Sequence, residues 1–133
     1  MISSILSRVS AFVLLLGGLV LLFASDAVLP ALISGFPSDA AWLGQLLAAA
    51  WLGVASLNWL QRSALLGGIY GRATVLANVV TYFISALSLV RALLGQSAPA
   101  ALWLAAVPLV VLAATYGALM MPGPFDPLQP PAS

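Results

Sequence analysis

Asn58-Trp59-Leu60-Gln61-Arg62-Ser63-Ala64-Leu65-Leu66-Gly67-Gly68-Ile69-Tyr70-Gly71-Arg72 is the longest mixed polar, aromatic and glycine-rich interruption in the chain, and the sequence on both sides of it is strongly apolar. It reads as the turn that closes a membrane hairpin. The composition around it supports that reading: 63% of residues are hydrophobic, 5% are charged, and the mean hydropathy is +1.16. A soluble domain has about a quarter of its residues charged, so too little polar surface exists here to cover a globule in water. At roughly 20 apolar residues per spanning helix, the length leaves room for four spans and no separate soluble domain. Barrel strands would alternate apolar and polar positions over about ten residues, whereas this chain carries long continuous apolar runs. The predicted fold is therefore all-α, an integral membrane four-helix bundle.

Working outward, the spans fall at about 6–24, 40–60, 74–94 and 100–121, with an extended proline-rich tail over 122–133. The first run, with Arg8 ahead of Val9 to Ala24, also has the outline of a secretory signal peptide, Ser25-Asp26-Ala27 being a weak cleavage site. It is kept here as a span. Gly17-Gly18 is read as the ordinary glycine content of membrane helices, the alternative being a close helix contact. Residues 26–38, punctuated by Pro30, Gly35 and Pro37, read as a loop lying along the interface, with Ser38-Asp39 capping the second helix. Within that helix Gly44/Ala48 and Ala49/Gly53 are small-x-x-x-small pairs suited to packing against a neighbour. Trp51, Ala55, Asn58 and Arg62 share one of its faces by spacing.

The third span carries the clearest pattern. Thr74, Asn78, Thr81, Ser85 and Ser88 follow a 4-3-4-3 rhythm that draws a polar stripe along one helix face, flanked by Tyr82. Lipid supplies no hydrogen-bond partners, so the stripe is expected to face other helices or a partner protein. Gly95 to Pro99 makes a short turn. Pro108 predicts a kink in the fourth span, because it removes one donor and frees the Leu104 carbonyl. Trp103 and Tyr116 are expected near its two interfaces.

Charge sets the orientation. Four arginines stand against three aspartates, without Lys or Glu. Four crossings bring Arg8, Arg62 and Arg72 to one side and leave Arg91 on the other with Asp26 and Asp39, so the positive-inside rule predicts N-in/C-in, in a bacterial cytoplasmic membrane. Arg91 there either pairs with an aspartate or snorkels to headgroups.

The same inventory excludes functions. A net charge of +1 gives no basis for nucleic-acid binding, and the lack of Cys and His removes thiolate chemistry, histidine-ligated haem and the usual zinc or copper sites. No catalytic residues, metal or cofactor are assigned: neither a Ser/His/Asp set, paired carboxylates nor a phosphate loop can be assembled. Small four-helix multidrug exporters resemble the chain in size and span number, yet their pattern has an acid inside the first span, and Val9 to Ala24 has none. A small transporter is therefore the least favoured reading.

Near the organising turn, Asn58, Arg62, Tyr70, Arg72 and Asn78 are candidates to converge at one membrane depth and hold an anionic lipid headgroup or the polar end of a quinone. The plainer reading makes the arginines topology anchors, Tyr70 part of an aromatic belt, and the two asparagines ties within the hairpin. The glycine-bearing first span, the aspartate- and proline-bearing loop, and Trp42-Leu43-Gly44-Gln45-Leu46-Leu47-Ala48-Ala49-Ala50 leading to Gly53 and Asn58-Trp59 resemble small bacterial four-span proteins of the DoxX-like type, over about Val9 to Tyr116. That resemblance implies a four-helix bundle and, for DoxX itself, a membrane subunit linked to quinone-dependent sulfur oxidation; it maps no catalytic residue onto this chain. Two functions are expected. One is a non-catalytic accessory or scaffolding subunit of a larger electron-transfer, photosynthetic or respiratory complex, packing through Gly44, Ala48, Ala49 and Gly53 and through Thr81, Ser85 and Ser88. The other is a lipid- or quinone-binding subunit of an oxidoreductase.

Overall fold

A computed structural model of the chain describes residues 2–62, 68–95 and 99–121, with side chains except at 2, 3, 38 and 68–70; the tail over 122–133 lies outside the described residues. Four helices follow one another: α1 (Ile2–Leu32), α2 (Trp42–Leu60), α3 (Gly68–Leu94) and α4 (Trp103–Met120). All four contain stretches long and apolar enough to cross a membrane. At 1.5 Å per residue the 18 residues of α4 and the 19 of α2 reach about 27–29 Å, close to the hydrocarbon thickness.

The 31 residues of α1 would exceed that thickness if straight, and the helix breaks at Ala24, whose φ of −128° and ψ of 20° are non-helical. Beyond the break the chain stays helical to Leu32, where the sequence predicts a loop. Pro30 forfeits one backbone bond, to the carbonyl of Asp26, and packing outweighs it: Ser25 and Leu29, one turn apart, both lie against Gly44 of α2. Gly35 then turns the chain with a φ of +74°, a conformation that strains any residue with a Cβ. The predicted Ser38-Asp39 cap gives way to a single 3-10 turn, Ser38–Ala40, and α2 starts after Ala41 without a side-chain cap. Backbone bonds close the entry instead, from Ala40 N to the Pro37 carbonyl (3.1 Å) and from Gly44 N to the Ala41 carbonyl (3.0 Å).

The helices form two antiparallel hairpins, α1 with α2 and α3 with α4. Buried positions recur at 4-3 spacing, as Ser7, Ala11, Leu14, Gly18, Leu21 and Ser25 in α1 and as Gly44, Ala48, Ala55 and Asn58 in α2. That seam spacing is the one left-handed bundle packing uses. Between α1 and α2 the backbones come close: a Cβ at Gly18 would stand 2.9 Å from Leu52 Cγ and 3.4 Å from the Ala48 carbonyl oxygen, and one at Gly17 would stand 2.6 Å from the Trp51 ring. Gly17-Gly18 is thus a contact surface, not merely background glycine content. In lipid, apolar burial adds no driving force beyond what acyl chains already offer, so close packing of this kind carries much of the association energy.

Of the two small-residue pairs in α2, Gly44 and Ala48 face α1, while Ala49 and Gly53 point outward and a Cβ at Gly53 would meet nothing within 4 Å. The hairpins meet through larger side chains, Leu14, Val75, Tyr82, Leu109, Leu112 and Tyr116. Tyr116 is therefore a fully buried core residue and not the interfacial belt residue its position near a helix end predicts. α4 runs as one helix through Pro108, preceded by a 3-10 turn over Ala100–Leu102. The alternation of helix direction gathers Arg8, Arg62 and Arg72 at one end of the bundle; Arg91, Asp26 and Asp39 lie at the other and are exposed.

Candidate functional site: a buried polar clasp

Every helix contributes to one polar cluster near the arginine-bearing end. The seam spacing places Ser7 and Ser10 inward on α1, and Asn58 continues the buried face of α2 below Ala55. On α3, Thr74, Asn78 and Tyr82 succeed one another at four-residue intervals, and all three are buried. Tyr116 enters from α4, its ring stacked on Tyr82 with centroids 5.7 Å apart and planes at 20°.

The two asparagines pair reciprocally. Asn58 Nδ2 donates to Asn78 Oδ1 at 2.7 Å, and Asn78 Nδ2 donates to Asn58 Oδ1 at 2.5 Å. Each amide then spends its second donor, Asn58 on Ser10 Oγ (2.8 Å) and Asn78 on the Thr74 carbonyl (2.8 Å). Ser10 Oγ donates to Asn78 Oδ1 at 3.2 Å and also pairs with the Tyr82 hydroxyl, while Ser7 Oγ donates to the Asn58 carbonyl at 2.6 Å. An amide side chain has two donors and one acceptor oxygen, so both asparagines are satisfied, as a dry interior demands. The bonds from Ser10, Asn58 and Asn78 link one hairpin to the other. One group is left over: the Tyr116 hydroxyl faces Ser7 and Ser10 yet is the one buried side-chain polar atom without a hydrogen-bond partner among the described residues.

The cluster is made of neutral side chains whose capacity is used almost entirely on one another. It fits a lock between hairpins better than a site for charge transfer or metal ligation.

Of the five candidate headgroup residues, the structure brings two into contact. Asn58 and Asn78 meet inside the clasp and are fully buried, out of reach of a headgroup. Arg62 folds back on its own helix, its guanidinium 4.6 Å from the Trp59 ring centroid and bonded to the Trp59 carbonyl at 2.6 Å. Arg72 is exposed, and the Tyr70 side chain lies outside the described residues. The predicted polar stripe divides as well: Thr74 and Asn78 turn inward, Thr81 and Ser85 are half-buried, and Ser88 is exposed. Sequence reasoning does not pick out Ser7 and Ser10, and it reads Tyr116 as interfacial. The available signal is that Ser7 and Ser10 share a face with Leu14 at the start of a long apolar run, where a hydroxyl needs a partner.

No family model, curated protein or solved structure matches the chain.

Proposed function

We propose that this is a non-catalytic subunit of a bacterial cytoplasmic-membrane complex, lying N-in/C-in, that binds a transmembrane helix of its partner through the outward hydroxyls of α3. One contrast carries the reading. Ser56 and Thr115, on the outer surfaces of α2 and α4, return their hydroxyls to their own helices, bonding the Leu52 carbonyl at 2.8 Å and the Val111 carbonyl at 2.7 Å. The hydroxyls of Thr81, Ser85 and Ser88 form no hydrogen bond within the described residues, although all three residues sit at least partly open on one side of α3. Hydroxyls held toward lipid without a partner are costly, and a polar neighbouring helix satisfies them.

Replacing all three by Ala, Leu and Leu tests this. Each interhelical bond is worth about 0.6 kcal/mol, so the triple variant is expected to weaken partner association by roughly twentyfold while its own thermal stability in detergent is unchanged. Co-extraction in a mild detergent followed by quantitation of the bound partner measures it. Isolation of the native chain as a lone monomer counts against the reading.

The orientation rests on three arginines at one end of the bundle against one at the other, and the absence of native cysteines makes it simple to check. In intact cells Ser34→Cys, at an exposed position beside the Gly35 turn, is expected to react with a membrane-impermeant maleimide, and Ser63→Cys only after permeabilisation; the reverse pattern inverts the topology. A lipid-binding role is the second reading, favoured by a groove between α1 and α2.

A further inference from the structure

At the arginine-bearing end an open groove of about 500 Å³ runs between Ala11, Phe12 and Leu15 of α1 and Ser56, Trp59 and Leu60 of α2. Its size is that of an ordinary ligand pocket. The lining is almost wholly apolar, and the one hydroxyl in it, from Ser56, is already committed to the Leu52 carbonyl. An occupant of the groove itself must therefore be a hydrocarbon. Phe12 and Trp59 meet edge to face across it, centroids 6.1 Å apart and planes at 80°, which fixes the wall against which a chain would lie.

The head of the groove is cationic. Arg62 stacks by a cation–π contact on Trp59, which lines the groove, and uses one N–H on the Trp59 carbonyl. A guanidinium has five N–H donors, so most remain for a ligand, and the stacking has already removed much of the side chain's freedom. Arg8 is exposed one turn before Phe12, on the face that Phe12 and Leu15 share. The described aspartates, Asp26 and Asp39, belong to the opposite end of the bundle. Two arginines with no carboxylate partner among the described residues thus crown an apolar slot. A bidentate fork matches a phosphate diester, and the depth of the slot beneath it matches an acyl chain.

We infer that this groove binds one anionic glycerophospholipid, its phosphate between Arg8 and Arg62 and one acyl chain along the Phe12–Trp59 wall. The site is separate from the α3 face assigned to the partner, and from the buried asparagines.

Native mass spectrometry of the full chain, loaded with either dioleoylphosphatidylglycerol or dioleoylphosphatidylcholine, tests the site. The anionic lipid is expected to be retained about tenfold better, each arginine contributing about threefold to fivefold. Arg8→Gln with Arg62→Gln abolishes the preference, and Arg72→Gln, an exposed arginine at the same end, leaves it intact. Ser56→Trp fills the slot from its lipid-facing side and lowers retention of both lipids; a thermal melt shows whether that variant is folded, and the arginine pair tests the site independently of it. Free glycerol phosphate at the same concentration does not displace the lipid. Equal retention of the two lipids by the native chain, an equal loss in Arg72→Gln, or displacement by glycerol phosphate alone overturns the proposal.

Discussion

Asn78→Leu is expected to cost the bundle about 2–4 kcal/mol, the largest single loss available from a side chain of nearly unchanged volume. The substitution removes bonds to Asn58, Ser10 and the Thr74 carbonyl at once. It strands one acceptor and one donor on Asn58 and leaves Ser10 only the Tyr82 hydroxyl to donate to. Each such bond averages about 0.6 kcal/mol in membrane bundles, and buried groups left unpaired add about 1–3 kcal/mol. Reversible unfolding in mixed detergent and SDS measures the change. The partner substitution sharpens the test: Asn58→Leu with Asn78→Leu should cost less than the sum of the two, by about 1–2 kcal/mol, because the second change removes a group the first had orphaned. Additive losses would mean that the reciprocal amide pair does not couple the hairpins. Ser88→Leu, outside the clasp, should leave stability within about 0.5 kcal/mol.

The asparagines illustrate how far the sequence can be read. Two amides in otherwise apolar spans, one on each side of a polar turn, are visible as polar groups that need partners, and four long apolar helices follow from composition and length alone. Their depth and direction are another matter. In a soluble bundle the polar face of each helix reveals which way it is turned; here the core and the lipid are equally apolar, so rotation about the helix axis leaves almost no trace in hydropathy. Tyr116 shows the consequence. A tyrosine near a helix end reads as part of an interfacial belt, yet it lies fully buried and stacked on Tyr82. Arg62 shows the other side of the same difficulty: its charge marks it as a residue for the membrane boundary, but the contact that folds it back over Trp59 depends on a rotamer that spacing does not specify. Ser25 and Leu29 carry the point into secondary structure, since a proline-bearing segment that reads as loop stays helical where it finds a glycine to pack on.

That glycine carries the second large effect. Gly44 and Gly53 belong to motifs of identical form on the same helix, and only their surroundings separate them. A Cβ at Gly44 would lie 2.8 Å from Leu29 Cδ1 and 2.9 Å from Ser25 Cβ. The leucine methyl is the end of a flexible side chain and can swing aside, whereas Ser25 Cβ is fixed to the backbone immediately after the break at Ala24, so α2 itself must retreat. Retreat also opens the close approach one turn further on, where a Cβ at Gly18 would stand only 3.4 Å from the Ala48 carbonyl oxygen. Gly44→Leu is therefore expected to lose at least about 3 kcal/mol, at the upper end of overpacking costs, and Gly44→Ala about 1 kcal/mol. Gly53→Leu places its side chain in lipid and, by removing a flexible residue from a helix interior, should be neutral or slightly stabilising. Thermal melts of the three variants in one detergent decide the matter. A loss at Gly53 equal to that at Gly44 would show that the outward face of α2 is packed in the assembled protein, and that the α1–α2 contact is not the one that sets the helix rotation.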